Sequence, residues 1–346
     1  MREGVRASFH DQAAHCDHLG SPLTARVLRV LADSLDQGAV AGCVLNWSGD
    51  PAPQADALAL RLAGGLHALV LSGADPDLAA AYADGTETAL RAALVKTLAQ
   101  HPAHLLHWLR SPPQTNEVRR SAVLIAAGHW LARRFGLPMV LSELGASAGL
   151  NLIWDHHALQ AGGQLYGPAD APVQLTPEWQ GLLPPLCPPC IAARAGVDLN
   201  PLDPAADRMR LLCYIWAGQD DRLARTRSAA NLALRFPGMV ARGDAVDWLE
   251  MRLATPHPGQ LHLIFHTVTW QYFPANAQAR GAALFADAGA RATPTAPLAH
   301  LAMEADASRD GAAVTLTLWP GGEKIILARA DFHGRRVRWL ADAPRG

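Results

Sequence analysis

Nowhere in the 346 residues does an apolar run reach the ~20 uninterrupted positions that a bilayer-spanning helix needs. The longest apolar tract, Ala122 to Leu141, is broken by His129, Arg133 and Arg134. The opening Met-Arg-Glu-Gly-Val-Arg has no apolar signal region, so a soluble cytoplasmic protein is expected, with no membrane partner. An excess of one charge is missing too. Thirty basic residues face 31 acidic ones for a net charge of -1, and no basic stripe follows a phosphate backbone, so nucleic acid is not an expected partner. Cysteine is sparse and odd in number: Cys16, Cys43, Cys187, Cys190 and Cys213 do not make a disulfide framework. Only Cys187-Pro-Pro-Cys190 has a suggestive spacing. Half a zinc site completed by His156, His157 or Cys213, or a redox pair, would need a second such motif or a less proline-filled context, so plain loop cysteines are expected and no metal.

What is present is apolar bulk. Half the residues are apolar and 18% are charged, and a chain of this length buries roughly three quarters of its unfolded surface, enough for one large domain or two modest ones. Residues 1–115 read as helical: Ser21-Pro22 offers an N-cap and a proline at the first helical position, and Leu23, Val27, Val30, Leu31 and Leu35 then recur at helical spacing until Gly38. Further apolar faces follow at 57–71, 90–98 and 103–109, and after Pro112-Pro113 a cap at Thr115 or Asn116 opens a helix through Phe135. From residue 138 the pattern changes to strands alternating with helices. Strands are expected at 139–144, 193–198, 238–242, 260–265 and 298–304, then at 313–319 and 324–328 around Pro320-Gly321-Gly322. Residues 116–346 should therefore form an α/β domain on a seven-stranded, Rossmann-like sheet closed by an antiparallel hairpin, with an irregular Pro-rich insertion at about 156–190.

The chemistry concentrates where the first strand runs into Gly145, Ser147 and Gly149 and then into an apparently helical pattern. A Gly-x-Ser-x-Gly turn is a nucleophile elbow in an α/β-hydrolase, with Ser147 attacking and Asp306 and His333 downstream in the required order. It is also the shape of a cofactor loop, and Glu143 near the strand end, where a hydrolase buries an apolar residue, favours that alternative. A dinucleotide fingerprint is weaker because Ser147 holds the central glycine position. In a nucleotide-binding sheet, polar residues recur at the ends of later strands. Asp198 can accept ribose hydroxyls, or merely cap a helix before Pro201; Asp244 can receive an adenine amine, or merely close the turn at Gly243. At the next strand end, His266-Thr-Val-Thr-Trp270-Gln-Tyr272 brings an imidazole, hydroxyls and rings together, as a pocket wall or as core packing.

Several longer stretches carry a resemblance. Glu143-Leu-Gly-Ala-Ser-Ala-Gly-Leu-Asn-Leu-Ile-Trp-Asp155, Pro113-Gln-Thr-Asn-Glu-Val-Arg119, Gly196-Val-Asp-Leu-Asn-Pro-Leu-Asp203, Phe265 to Tyr272 and Leu318-Trp-Pro-Gly-Gly322 are similar to a bacterial domain-of-unknown-function family, number 2332, which itself resembles class I S-adenosylmethionine-dependent methyltransferases. That resemblance implies S-adenosylmethionine as cofactor and a small-molecule methyl acceptor. It implies that Glu143, Gly145, Ser147 and Gly149 face the methionine and ribose end, Asp198 the ribose, and Asp244 with Ala245 the adenine. Ser147 departs from the usual glycine, and no Asn/Asp-Pro-Pro-aromatic motif or base-methylating cysteine is present. In-line transfer from a sulfonium needs alignment and, for a protonated nucleophile, a base. His266, whose ordinary pKa of about 6.5 suits the task, is the first candidate, with Tyr272 and Asp155 behind it and Trp270 facing the cation or stacking on a ring. Gln114, Thr115, Asn116 and Glu117 are a candidate lid beneath a helical N-terminal roof, or simply a helix cap. A methyltransferase-like nucleotide-binding protein without catalysis is the remaining alternative.

Overall fold

Apolar residues spaced three and four apart put one greasy face on each helix of the first part of the chain. In the computed structural model, which describes residues 2–344, these are α1 (Arg2–His18), α2 (Pro22–Ser34), α3 (Ala39–Leu45), α4 (Leu58–Ser72), α5 (Pro76–Asp84), α6 (Glu87–Gln100) and α7 (Pro102–Leu109). Phe9, Leu28, Leu31, Leu62 and Leu66 meet in their common core. Residues up to Thr115 and the distant segment Asp207–Ala224 form one compact unit. Within it α9 (Arg208–Cys213) packs on α4, where Tyr214 fills the space left by Gly64. Pro22 opens α2 as its fixed φ allows, but the Ser21 hydroxyl engages Thr24 Oγ1 (3.0 Å) and the Ala217 carbonyl (3.1 Å) and caps nothing.

The second unit comprises 116–206 and the chain from Arg225 onward, entered through α10 (Asp220–Ala233). Its helix α8 (Ser121–Phe135) starts later than the spacing suggests. Residues Val118–Arg120 form a 3-10 turn, and its cap is Glu117, which accepts from the Arg119 N–H, rather than Thr115 or Asn116. Strands β1 (Met139–Leu144), β2 (Ala158–Ala161), β3 (Gln164–Tyr166), β4 (Gln174–Leu175), β5 (Glu178–Gly181), β6 (Ile191–Asp198) and β7 (Val240–Arg242) are followed by α11 (Ala245–Ala254), β8 (Leu261–Thr267), α12 (Ala275–Arg291), β9 (Leu298–Ala305), β10 (Ala312–Trp319), β11 (Glu323–Ala330) and β12 (Arg336–Trp339). Every residue of β1 and β8 is buried, as expected of central strands covered on both faces.

The main sheet has nine strands rather than seven, ordered β5-β12-β11-β10-β9-β8-β1-β6-β7. It is mostly parallel: β7, β6, β1, β8 and β9 run together, β10 to β12 form an antiparallel meander, and β5 adds a parallel edge. The insertion expected to be irregular contributes that edge strand and the small sheet β3-β2-β4. These pieces are two to four residues long, too short for periodicity to register. The segment after Gly149 also departs from expectation. It consists of turns and a 3-10 turn at Trp154–His156, so no α-helix follows β1 directly. Trp154 instead drives its ring against α8 at Gly128, where any Cβ would overlap it.

That close approach yields a test. Gly128→Ala should lower stability by about 1–2 kcal/mol, because overpacking outweighs alanine's ~1 kcal/mol helix advantage. The readout is a lower urea midpoint at unchanged slope; a raised midpoint would show that the Trp154 contact is loose.

Candidate functional site

The chain leaves β1 toward β6 and β7 on one side and returns to β8 and β9 on the other, so the carboxyl end of β1 is the switch point of the parallel part of the sheet. Crevices form there because adjoining connections diverge to opposite faces. The turn that follows is left-handed at Gly145 (φ 69°), Ser147 (φ 52°) and Gly149 (φ 73°). At 145 glycine is obligatory for space as well, since a Cβ would strike the Thr269 side chain. Ser147 has no such freedom and must be held. Its N–H donates to Asp198 Oδ2 (2.8 Å), the Gly145 and Ala146 N–H groups donate to the Val197 carbonyl (2.9 and 3.0 Å), and the Leu150 N–H donates to Asn116 Oδ1 (3.0 Å).

Glu143 lies beneath this turn, 2% exposed, and its Oε2 has no hydrogen-bond partner. Burial pushes its carboxyl well above the usual carboxylate range, the neighbouring Asp198 carboxylate pushes it further, and the Arg120 guanidinium opposes both. Arg120 itself spans the rim, donating to the Thr267 carbonyl (3.0 Å) and the Phe332 carbonyl (2.9 Å). Asn116 and Glu117, expected as a lid, are buried struts of the same rim. Asn151 Nδ2 donates to the Glu117 carbonyl (3.1 Å), the Ser121 hydroxyl donates to Asn151 Oδ1 (2.9 Å), and His333 Nδ1 sits 3.5 Å from Glu117 Oε2.

Residues at the other strand ends have local work. Asp198 Oδ1 also accepts the Asn200 N–H (2.8 Å). Asp244 is the N-cap of α11, accepting from Val246 (2.8 Å) and Asp247 (3.1 Å), and Ala245 packs into the core. His266 lies within β8, buried rather than at the rim. Its Nδ1 pairs with Glu304 Oε1 (2.6 Å), its Nε2 with His300 Nε2 (2.9 Å), and its ring stacks on Trp270 at 5.2 Å. Glu304 also accepts from the N–H groups of Thr269 (2.8 Å) and Trp270 (3.0 Å). Burial opposes ionisation of Glu304, but the His266 bond and these two amides outweigh it and hold the carboxyl below its ordinary value. Trp270 packs onto α12 at Gly281, where a Cβ would overlap its ring. Tyr272 is 73% exposed, and Asp155 is clamped by Arg194 through two bonds of 2.6 and 2.9 Å.

Thus the structure gathers Glu143, Gly145, Ser147, Gly149, Asp198, Asn116 and Glu117 around one turn, whereas Asp155, His266 and Tyr272 are engaged or directed elsewhere. Asp306 and His333 do not pair: Arg329 holds the first (2.5 and 2.9 Å) and Glu117 faces the second. Cys187 and Cys190 are free thiols, with the Cys187 N–H donating to His129 Nδ1 (3.1 Å). His157 is buried with both ring nitrogens unpartnered, and burial lowers its pKa to about 3. Arg120, Asn151 and Glu304 are the organising residues that motif reading passed over. Asn151 stood within the quoted Glu143–Asp155 stretch, and Glu304 at the end of an expected strand.

A family model described as an uncharacterized protein conserved in bacteria (DUF2332) matches residues 6–339. No curated protein and no solved structure matches the chain.

Two outcomes follow from this geometry. Asp244→Ala should cost about 0.5–2 kcal/mol in denaturant unfolding, the loss of an N-cap. Glu143 keeps its proton in the folded state at a pH where the unfolded state loses it, so its contribution falls as pH rises above the unfolded value of about 4.3 and is neutral below it. Glu143→Gln should therefore raise the melting temperature near pH 7–8 and leave it unchanged near pH 4; a loss of stability at pH 8 would show that Glu143 is ionised and needed as such.

Proposed function

The chain belongs to this family of uncharacterized bacterial proteins, and from that premise we propose that the rim above β1 binds S-adenosylmethionine for methyl transfer to a small-molecule acceptor. The observation that carries the reading is the unpartnered Glu143 Oε2, buried beside Asp198 under a left-handed turn at the switch point of a parallel sheet. Buried carboxyl oxygens are seldom left bare in natural proteins, and water, an ion or a ligand commonly supplies the partner; at Glu143 the second carboxylate of Asp198 beside it favours a cationic or hydroxyl-bearing ligand. The strand order β7-β6-β1-β8-β9 supports the same reading, because it brings the turn, Asp198 and the residues after β8 to one end of the sheet at its switch point.

The residues suit such a ligand in kind. Glu143 Oε2 is free to accept from an ammonium or hydroxyl, and the Asp198 oxygens have lone pairs beyond those taken by Ser147 and Asn200. The missing Cβ at Gly145 lets the Thr269 side chain close against the turn and so joins the wall after β8 to it. When bound, S-adenosylmethionine supplies an electrophilic methyl on a sulfonium. The chain's part is alignment: Arg120, Asn116 and Asn151 fix the turn, while Glu304 and His266 fix the Thr267–Trp270 wall. His266, occupied at both ring nitrogens, positions Trp270 rather than taking a proton from an acceptor.

Isothermal titration with S-adenosylmethionine and S-adenosylhomocysteine tests the proposal. Binding should weaken at least tenfold in Glu143→Gln and in Asp198→Asn, with circular dichroism unchanged. Because a cation favours the ionised carboxylate, binding to wild type should release a proton and tighten as pH rises, and Glu143→Gln should lose that dependence. Wild type that binds neither compound at millimolar concentration sinks the reading. Binding without methyl transfer to any small-molecule pool identifies the catalytically silent alternative.

A further inference from the structure

A cleft of about 270 Å³ on the antiparallel side of the main sheet is lined by Gln180, Arg309, Asp310, Arg329, Asp331, Arg336 and Arg338, with backbone from Gly311, Ala330 and Val337. Its floor is set by strand register. Arg329 and Arg338 stand directly opposite each other on β11 and β12, so their side chains share one face. Arg336 lies two residues before Arg338 and joins that face, while Val337 and Trp339 point into the core. Like charges placed directly opposite are unfavourable, and the sheet compensates with acids from the β9–β10 loop. Asp306 holds Arg329 by two bonds, and Asp310 holds Arg338 at 3.0 Å. Asp331 is taken by Arg335 at 2.9 Å, whose side chain lies outside the cleft. This leaves the Arg309 and Arg336 guanidiniums without an ion-pair partner among the described residues.

We propose that this cleft binds a small organic phosphate, its phosphoryl group held by Arg309 and Arg336 and its hydroxyls by Asp310 and Gln180. Concentrated guanidinium is unusual here, because the chain as a whole carries a net charge of -1. Guanidinium offers planar, paired donors that match a phosphoryl group in shape as well as in charge. The acids in the lining discriminate against a bare polyanion and favour a ligand with hydrogen-bond donors beside its single anionic group. The cleft has room for a sugar phosphate, being about nine waters in volume at ~30 Å³ each. Its residues are separate from those of the rim above β1, so the assignment is independent of the methyl-transfer reading.

The test is isothermal titration of the full-length protein with ribose 5-phosphate, ribose, inorganic phosphate and a series of single-stranded oligonucleotides. Ribose 5-phosphate should bind, more tightly at low ionic strength, and Arg309→Ala/Arg336→Ala should raise its Kd at least tenfold. Both side chains are exposed, so folding should be unaffected; each single variant, Arg309→Ala or Arg336→Ala, should also weaken binding, and Arg335→Ala, which removes one charge just outside the cleft, serves as the control matched to them and retains binding. No binding of ribose 5-phosphate to wild type, or equal weakening in the control, overturns the proposal. Equal affinity for inorganic phosphate overturns the organic part of it, and affinity that grows with oligonucleotide length overturns it in favour of nucleic acid.

Discussion

The bond from the Ser147 N–H to the Asp198 carboxylate is the contact on which the rim above β1 depends. A non-glycine residue in the left-handed region costs on the order of 1–3 kcal/mol and persists only where its surroundings over-determine it. Here the over-determination comes from β6, through the Asp198 carboxylate and the Val197 carbonyl, and from Asn116 on the strut before α8. A charge-assisted bond of 2.8 Å is among the stronger single contacts available for the purpose. The turn can therefore take its form only once β6 has paired with β1, after a connection of more than forty residues has been folded away.

Two carboxyls near the ends of β1 and β9, on either side of β8, show how environment separates identical chemistry. Glu304 receives an imidazole and two backbone amides and is held ionised, which fixes the wall from Thr267 to Trp270. Glu143 lies against another carboxylate with its Oε2 unpartnered, and burial and that neighbour push it well above the usual carboxylate range. Glu304 has committed its Oε1 to structure, while the Oε2 of each carboxyl is without a hydrogen-bond partner. Strongly perturbed carboxyls such as Glu143 cluster at functional sites.

Much of the second unit was legible from periodicity. The strand expected at 139–144 occurs with those bounds, and the other six lie within three residues of expectation, because buried β-branched and leucine-rich runs bounded by Gly and Pro leave few alternatives. Strands β5 and β12 were not legible, since Glu-Trp-Gln-Gly and Arg-Val-Arg-Trp carry too few apolar residues to stand out from loop. Nor was the helix that fails to form after Gly149. Leu150, Leu152, Ile153 and Trp154 have an amphipathic look, but Asn151 is tied to Glu117 and Ser121, and the Trp154 ring takes the space beside Gly128. Tertiary contacts there override local propensity.

The sequence by itself determined most of the elements and the turn: central strands from mainly apolar runs, helices from their spacing, and a bend after β1 from Gly145 and Gly149. Only the tertiary structure decided the meaning of the polar residues. Asp244 became a helix cap, His266 a buried strut and Asp155 a clamp on Arg194, while Glu143 was left with an unpartnered oxygen. The reason is physical. Apolar burial is non-directional and follows from pattern, whereas a polar group's role depends on which partner reaches it within about 3 Å, and for His266 and Asp155 those partners lie nearly forty residues away in the chain.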